Sequence, residues 1–434
     1  MKQIFKFFTI FVIFLITLIA CNLRPTASPE TQLERAKTVD SFLNSIGVVV
    51  HLNYRDTAYN NFTDLIKPRL QELGVHHIRD GVKINDTETQ EKFNNLGRQG
   101  IKSIFVMDPR DGINAAEAVT VAKSVQDSIE AVEGPNEWDL NSKYQYKEQS
   151  FPEGLRLFQT ELYSAIKNNT ATENLPILSP SMGRPHNAAK LGKVPCDIGN
   201  MHSYAGGHIP SIDLDEKWIP YAKKMCGDKP IIATECGYHN AINKPGSDSQ
   251  PGVSEQAAAR YLSRLYLEYF NRGIKRTYIH QLMNLKPNPE ADKPNLNFGL
   301  LRSDGSRKPA FIAIRNMIDL LEEDIETSNS SASLNSLNYS LDGNINNVHH
   351  TLLQNKKGIF YLILWQEVPS FDLKNNIDLN VSSQEVTLTL NTDIVQANGY
   401  EPLNSIRPIF KSKNPQKLLL KVPDHPLIVE LRPT

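Results

Sequence analysis

The chain has 434 residues, enough for a large domain of about 250 residues and a smaller one beside it. Hydrophobic residues make up 40 % of it and charged residues 22 %, a composition that excludes an extensively disordered protein. The formal net charge is −1, which argues against a broad basic surface for nucleic acid or an acidic membrane.

The N-terminus carries the pattern of an export signal. Lys2 and Lys6 precede an apolar run of 14 residues, 7–20, which is short for a membrane span and typical of a signal-peptide core. The run leads into Leu-Ile-Ala-Cys, which resembles the lipobox of bacterial lipoproteins. That resemblance implies a signal peptide over residues 1–20, lipid on Cys21 and a protein anchored in the cell envelope. An uncleaved anchor helix is the alternative.

Residues 22–44 are polar and contain prolines, which predicts a tether. Between residues 45 and 325, eight apolar strand-like runs alternate with helical or loop sequence, about 33 residues per unit, as expected of βα units. This pattern predicts an α/β fold, a (β/α)₈ TIM barrel. An open doubly wound sheet is the alternative, but no glycine-rich phosphate loop follows the first run. The runs end near Asn53, Arg79, Asp108, Glu137, Ser181, His202, Glu235 and Gln281.

The last hundred residues have a different pattern. A Ser/Asn-rich segment, 327–341, is followed by short strand-like runs that turn residues separate. We therefore expect a C-terminal β-sandwich domain over residues 326–434. The runs are 349–353, 358–365, 385–390, 417–422 and 427–431.

Three cysteines lie in the predicted barrel. Cys196 and Cys226 each precede a strand, and the starting ends of adjacent parallel strands lie close together, so a disulfide fits an exported protein. Two unpaired, half-buried thiols are the alternative. Cys236 follows a candidate catalytic glutamate, and we expect it to act as a small buried hydrophobe.

Two glutamates carry the strongest chemical signal. Glu137 and Glu235, 98 residues apart, end the fourth and seventh predicted strands. Because the carboxyl ends of barrel strands meet at one face, we expect both side chains to point into the same mouth. Retaining glycosidases need such a pair of carboxyl groups, about 5–5.5 Å apart. Either motif alone would be weak, since an Asn-Glu pair after a strand is often an ordinary turn.

The segment Gly-Pro-Asn-Glu ending at Glu137 resembles the strand-four signature of the clan A retaining glycoside hydrolases, the 4/7 barrel superfamily. Thr234-Glu235 is similar to the strand-seven segment of that family. The resemblance implies that Asn136 binds the sugar 2-hydroxyl, that Glu137 is the acid/base and that Glu235 is the nucleophile.

Further residues extend the resemblance. Arg79 matches the arginine that the family keeps beside the nucleophile, and His202-Ser-Tyr204 resembles its strand-six His-x-Tyr, in which the tyrosine holds the nucleophile. The alternatives are an ion pair between Arg79 and Asp80 and a hydrogen-bonded core position for His202. Trp138 either stacks on a sugar or packs a loop.

The predicted end of strand eight departs from the family. The family places a tryptophan there as a sugar platform, whereas this chain has Tyr-Ile-His-Gln-Leu over 278–282. The stacking surface must come from elsewhere, with Trp138, Tyr204 and Tyr238 as candidates. Weaker candidates for substrate contacts are His51, Asn53 and Asp108.

Together these patterns predict an exported retaining glycoside hydrolase that acts on an oligo- or polysaccharide without a cofactor. We assign no metal site, because strand alternation sends His76 and His77 to opposite faces. Two other functions stay open. One is a non-catalytic carbohydrate-binding envelope protein on the same barrel, and the other is a transglycosylase that uses the same two glutamates.

Overall fold

The computed structural model describes residues 32–244, 250–322 and 334–434. The predicted signal peptide and Cys21 lie outside these residues. None of the helices within them is long and apolar enough to cross a membrane. The first described residues form two short strands and a helix, β1 (Gln32–Arg35), β2 (Lys37–Thr38) and α1 (Val39–Leu43).

Eight parallel strands form the barrel that the sequence pattern predicts. The strands are β3 (Ile46–Val49), β4 (His77–Gly81), β5 (Lys102–Val106), β6 (Ile129–Glu133), β7 (Ile177–Leu178), β8 (Gly199–His202), β9 (Ile231–Cys236) and β10 (Arg276–Ile279). The sheet order is β7-β6-β5-β4-β3-β10-β9-β8, and a bridge between Leu178 and Ile198 joins its two edges. Each strand is short and mostly buried, because helices cover one face and packed side chains fill the other.

Helices surround the barrel, and their apolar spacing sets which face they bury. They are α2 (Lys67–Leu73), α3 (Thr87–Gly97), α4 (Glu117–Ser124), α5 (Glu153–Lys167), α6 (Ala188–Leu191), α7 (Ile219–Cys226), α8 (Glu255–Asn271) and α9 (Pro309–Glu322). In α5, Leu155, Phe158, Leu162 and Ile166 recur at helical spacing and are fully buried. Most of α8 is buried all round, because the C-terminal domain covers its outer face.

The C-terminal domain is a β-sandwich. Its strands are β11 (Ser336–Gly343), β12 (Val348–Gln354), β13 (Phe360–Gln366), β14 (Phe371–Asp372), β15 (Ile377–Asp378), β16 (Gln384–Leu390), β17 (Ile394–Tyr400), β18 (Phe410–Lys413), β19 (Lys417–Val422) and β20 (Leu427–Pro433). The four-stranded sheet has the order β1-β11-β16-β19, the six-stranded sheet has the order β18-β17-β20-β13-β12-β2, and β14 and β15 pair separately. Apolar side chains from the four-stranded and six-stranded sheets form the core between them.

The part of the predicted tether that the structure describes is folded. β1 pairs antiparallel with β11, and β2 pairs parallel with β12, so the segment before the barrel adds one edge strand to each sheet of the sandwich. Main-chain hydrogen bonds hold this segment, whose side chains are mostly polar and at least partly exposed. Hydrophobic patterning therefore could not reveal it. β11 overlaps the Ser/Asn-rich segment, but Leu337, Tyr339 and Leu341 alternate along it and the first two are fully buried.

The sandwich packs against helix α8 through buried polar contacts. Arg264 donates to the carbonyls of Gln366 and Val368, and the indole of Trp365 donates to Glu268 at 2.8 Å. Both Arg264 and Glu268 are buried and leave little access for water. A polar interface of this kind fixes how the two domains are oriented, because each buried group needs its partner.

Cys196 and Cys226 form a disulfide in the structure, with their Cα atoms 5.9 Å apart. They lie just before β8 and at the end of α7, which precedes β9, so the start of adjacent barrel strands brings them together. Cys236 is fully buried on β9, and its thiol contacts the carbonyl of Tyr278. Its surroundings are those of a small core side chain.

Removing the disulfide with the double change Cys196→Ser and Cys226→Ser should lower the free energy of unfolding by about 3–4 kcal/mol, because the bond closes a loop of 30 residues. Urea unfolding without reductant measures the loss. Wild-type protein with reductant is the control and should match the variant. Equal stability of the wild type and the variant without reductant would mean that the two thiols are unpaired.

Candidate active site

A cavity of about 1250 Å³ opens at the carboxyl ends of the barrel strands. It is lined by residues at or after the carboxyl ends of all eight strands, as the barrel geometry requires. Both candidate glutamates face it. The polar residues that line its floor are Arg79, Asp80, Asn136, Glu137, His202, Tyr204 and Glu235.

The two candidate carboxyl groups are close together. A carboxylate oxygen of Glu137, one of Glu235 and a ring nitrogen of His202 all lie within 4.8 Å of one another. Glu235 is nearly buried at the end of β9, while Glu137 follows β6 on a turn and its side chain is 23 % exposed. One carboxylate is thus enclosed in the protein, and the other is open to the cavity.

Arg79 connects Glu235 with the strand end that precedes Glu137. Its guanidinium donates to both oxygens of Glu133, at 2.8 and 2.9 Å, and also to Glu235 and to the side-chain oxygen of Asn136. All of these groups except Asn136 are buried, which strengthens the ion pairs. Asp80 instead accepts from the backbone amides of Leu52 and Gly81, so the alternative Arg79–Asp80 pair does not form.

Glu235 is held in its ionised form. Burial alone would raise the pKa of Glu235, but the charges of His202 and Arg79 outweigh burial and hold that pKa well below its usual range. The hydroxyl of Tyr204 also donates to Glu235 at 2.7 Å, and burial with the nearby carboxylates raises the pKa of Tyr204 far above its usual value. An ionised carboxylate oriented by a neutral phenol has the properties of a nucleophile.

Glu137 stands on a sharply turned backbone. Its φ of 50° and ψ of 40° lie in the left-handed region, which non-glycine residues seldom adopt. The amide of Glu137 donates to the carbonyl of Ser181 at 3.2 Å, and Asn136 forms a bridge with the same residue. This anchoring keeps the turn in place and directs the Glu137 side chain toward His202 and the cavity.

His202 links the two carboxylates. Burial alone would lower the pKa of His202, but Glu235, Glu133 and Glu137 outweigh it and raise that pKa to about 10. The protonated ring donates from Nδ1 to Glu137 at 2.7 Å and from Nε2 to the hydroxyl of Thr234 at 3.1 Å. The alternative for His202 was a hydrogen-bonded core position. His202 is buried and hydrogen-bonded, and it also contacts the candidate acid/base Glu137 directly.

The raised pKa of His202 makes its contribution to stability depend on pH. The contribution is complete below about pH 6.5, the unfolded value, and is lost as pH rises through about 10. The change His202→Asn should therefore cost more free energy of unfolding at pH 6 than at pH 10.5, as measured by urea unfolding. His186→Asn is the control, since His186 is exposed. An equal cost at both values would contradict the prediction.

Two of the candidate sugar platforms are not available to a ligand. Trp138 is 1 % exposed, and its indole donates to Asp108 while its ring packs in the core beside Tyr144. Tyr238 is also buried, and its hydroxyl donates to the carbonyl of His208. The platform roles proposed for Trp138 and Tyr238 are therefore wrong. Both rings extend below the cavity wall, where apolar neighbours cover them.

Asp108 supports the loop of the candidate acid/base. Its carboxylate accepts from the guanidinium of Arg110, from the indole of Trp138 and from the backbone amide of Asn136. Asp108 lines the cavity but is almost fully buried and fully engaged in these bonds. It positions the loop, whereas His51 and Asn53 also line the cavity and stay candidates for substrate contacts.

Sequence reasoning missed the residues beneath the site. Glu133, Asn200 and Thr234 are fully buried, and each is hydrogen-bonded to the others or to Arg79. Burial alone would raise the pKa of Glu133, but Arg79 and His202 lower it. Strand periodicity contained a signal, because Asn200 lies two residues before His202 on the same face. A charged residue at the end of an apolar strand was a second signal.

Glu137, His202 and Glu235 are the described residues whose atoms are grouped closely enough to hold a metal ion. The positive charge that such an ion would supply is already provided by Arg79 and protonated His202, and both ring nitrogens of His202 are engaged. The donor set therefore fits proton transfer better than metal binding. His76 is exposed and pairs with Glu322, whereas His77 is buried against Glu130, as strand alternation predicts.

Solved structures similar to this chain come from glycoside hydrolases. A family 39 glycoside hydrolase from the gut symbiont Bacteroides cellulosilyticus WH2 has a TM-score of 0.60 at 14 % identity, over 91 % of this chain and 82 % of its own. The GH39 enzyme from Xanthomonas axonopodis pv. citri has a TM-score of 0.55 at 12 % identity, over 96 % and 100 %. The likeness is one of fold.

A third structure, a glucosidase from Croceicoccus marinus, has a TM-score of 0.54 at 10 % identity and covers 86 % of this chain and 93 % of its own. Neither a protein-family model nor a curated protein sequence matches this chain. The predicted fold, a TIM barrel with a C-terminal β-sandwich, is confirmed by its strands and by these neighbours.

Proposed function

We propose that this protein is a retaining glycoside hydrolase with Glu235 as nucleophile and Glu137 as acid/base. The observation that carries the proposal is the pair of carboxylates within 4.8 Å in unlike surroundings. That separation suits direct attack on a sugar and leaves no room for the intervening water of an inverting mechanism. Neighbours of the same fold that are named as glycoside hydrolases support the reaction class.

In the first step, a Glu235 oxygen attacks the anomeric carbon as the glycosidic C–O bond breaks. The bonding electrons move to the leaving oxygen, which takes a proton from Glu137. Neutralisation of Glu235 in the covalent intermediate removes the charge that Arg79 and Tyr204 held in place. In the second step, Glu137 takes a proton from water, the water oxygen attacks the anomeric carbon, and the bond to Glu235 breaks.

Intact-mass spectrometry after incubation with a panel of 2-deoxy-2-fluoro glycosides tests the mechanism. We expect an adduct of one fluorosugar, mapped by peptide analysis to Glu235, because the fluorine slows both steps while an activated leaving group keeps the first step fast enough for the intermediate to accumulate. Glu235→Gln is the control and should carry no adduct. Folded wild-type protein that binds sugars but forms no adduct and releases no reducing sugar would favour the carbohydrate-binding alternative.

Product analysis with an added sugar acceptor distinguishes hydrolysis from transglycosylation. For a hydrolase we expect free reducing sugar as the main product, since water takes the second step. A product that contains the acceptor and exceeds the hydrolysis product would instead identify a transglycosylase that uses the same two glutamates.

The proposal includes export and a lipid anchor on Cys21, supported by the apolar run before Cys21 and by the disulfide, which suits an oxidising compartment. Expression of the full chain with radiolabelled palmitate in a bacterium tests it. The wild type should be labelled and found with membranes, and Cys21→Ser should not be labelled. Label on both, or on neither, would contradict lipid attachment at Cys21.

A further inference from the structure

The cavity contains an aromatic residue whose position suits a sugar and that the sequence analysis did not single out. Tyr54 follows β3 and is 40 % exposed on the cavity wall. Among the other aromatic rings that line the cavity, Tyr204 is only partly exposed, and Phe298 and Trp218 are 7 % and 8 % exposed. Since Trp138 and Tyr238 are buried, Tyr54 presents the most accessible ring among these six.

One face of the Tyr54 ring is stacked, and the side chain is still partly exposed. His51 stacks on that face, with centroids 4.5 Å apart and planes 11° from parallel, so a ligand would reach the ring from the opposite face. The Tyr54 backbone is held in place, because its amide donates to the carbonyl of His51 and its carbonyl accepts from the amide and hydroxyl of Thr57. The ring is therefore pre-organised, and a ligand that stacks on it loses little conformational entropy.

A chain of rings connects Tyr54 to the nucleophile. His51 contacts His280 edge to face at 5.6 Å, His280 contacts Tyr204 at 6.2 Å, and the Tyr204 hydroxyl donates to Glu235. His280 occupies the end of strand eight, where the resembling family has its tryptophan. Aromatic rings therefore extend from the end of β10, the eighth barrel strand, to the loop after β3, the first barrel strand.

The charged groups near Tyr54 indicate which sugars fit. Burial and the nearby Asp80, Glu235 and Asp111 raise the pKa of the Tyr54 hydroxyl, so the ring carries a neutral phenol. All three guanidinium nitrogens of Arg79 already donate to Glu133, Glu235 and Asn136, and His51 adds no charge near neutral pH, since burial and His280 lower its pKa to about 3. Neither Arg79 nor His51 therefore offers a cation to an acidic sugar, whereas a neutral sugar needs none.

We propose that Tyr54, backed by His51, is the stacking platform for a neutral pyranose residue of the substrate. The inference rests on the proposed function for its location but concerns binding. The apolar C–H face of the sugar covers the ring face opposite His51, and the Tyr54 hydroxyl, which has no hydrogen-bond partner among the described residues, remains available to a sugar hydroxyl.

Isothermal titration tests the platform in the full chain carrying Glu235→Gln, which binds without turnover. The probes are xylotetraose, cellotetraose, mannotetraose, galactotetraose and tetragalacturonate. For the neutral sugar that binds most tightly, Tyr54→Ala should raise Kd about tenfold or more, and Tyr54→Phe should change it less than about threefold. Tyr163→Ala, which removes a partly buried tyrosine outside the cavity, is the matched control and should leave Kd unchanged.

Several results would overturn the platform. These are an unchanged Kd in folded Tyr54→Ala, an equal loss in Tyr54→Phe, no binding of any neutral sugar, and tightest binding of tetragalacturonate. Hydrolysis by the wild-type chain is measured separately. Binding that depends on Tyr54, without hydrolysis, would reject the proposed enzyme and retain the platform. Hydrolysis whose KM is unchanged in Tyr54→Ala would retain the proposed enzyme and reject the platform.

Discussion

Replacing Glu235 by glutamine should lower kcat on a cleaved glycoside by about 10⁴-fold or more, because the amide cannot form the covalent intermediate. The side chain keeps its shape and can still accept from Tyr204, so KM should change far less than kcat. Initial rates on 4-nitrophenyl glycosides measure both constants. Glu137→Gln should lose activity as well, most strongly on substrates whose leaving group needs a proton.

Azide separates the roles of the two glutamates. In Glu235→Ala, azide should attack in place of the nucleophile and give a glycosyl azide of inverted configuration, whereas in Glu137→Ala it should give the retained product. Glu130→Gln is the matched control. Glu130 lies near the start of β6, the strand that Glu137 follows, and contacts His77 at the opposite end of the barrel. Full activity in Glu235→Gln, or azide products of the opposite configurations, would reject the assignment.

Replacing Arg79 by methionine should lower the free energy of unfolding at pH 7 by about 3–5 kcal/mol, because Glu133 and Glu235 would be left buried without their cation. Arg79 lowers the pKa of both carboxyl groups, so its contribution is complete above their unfolded pKa, declines as pH falls below that value and is lost as pH falls through the lowered pKa of the folded state. The cost should therefore be smaller at pH 4 than at pH 7. Urea unfolding at both values measures it.

Arg98→Met is the control for Arg79→Met. Arg98 pairs with Glu91 and Asp127 on the surface, and all three side chains are at least one-third exposed, so its loss should cost much less than the loss of Arg79. A similarly small cost for Arg79→Met would show that the buried network is not what stabilises the mouth of the barrel. Activity should also fall in Arg79→Met, since Glu235 would lose one of the two charges that hold it ionised, together with a hydrogen bond that orients it.

Much of the barrel can be predicted from the chain, since each strand there is a local apolar run. All eight predicted runs overlap observed strands, from Ile46–Val49 to Arg276–Ile279. The sandwich is harder, because its strands pair over long distances and several are polar. Gln32–Arg35 pairs with Ser336–Gly343, which lies beyond the whole barrel in the sequence, and Gln32–Arg35 lacks the apolar alternation that identifies a strand.

The site was predictable where its residues directly follow strands, because the ends of parallel strands converge at one face of a barrel. Glu137, His202 and Glu235 were found on that ground, and the structure places them together. Trp138 could not be assigned in this way. The sequence left open whether it stacks on a sugar or packs a loop, because whether a side chain turns outward or into the core depends on its packing, and here it is buried.

Hydrophobic period and chain order are local properties, and they suffice to predict the βα repeat and the two glutamates at strand ends. Which charges surround those glutamates depends instead on contacts between distant parts of the chain. Glu133 and Arg79 are 54 residues apart, and Arg79 and Glu235 are 156 apart. The protonation of each group depends on the burial and on the charges that folding brings around it, and these arise only when distant strands close the barrel.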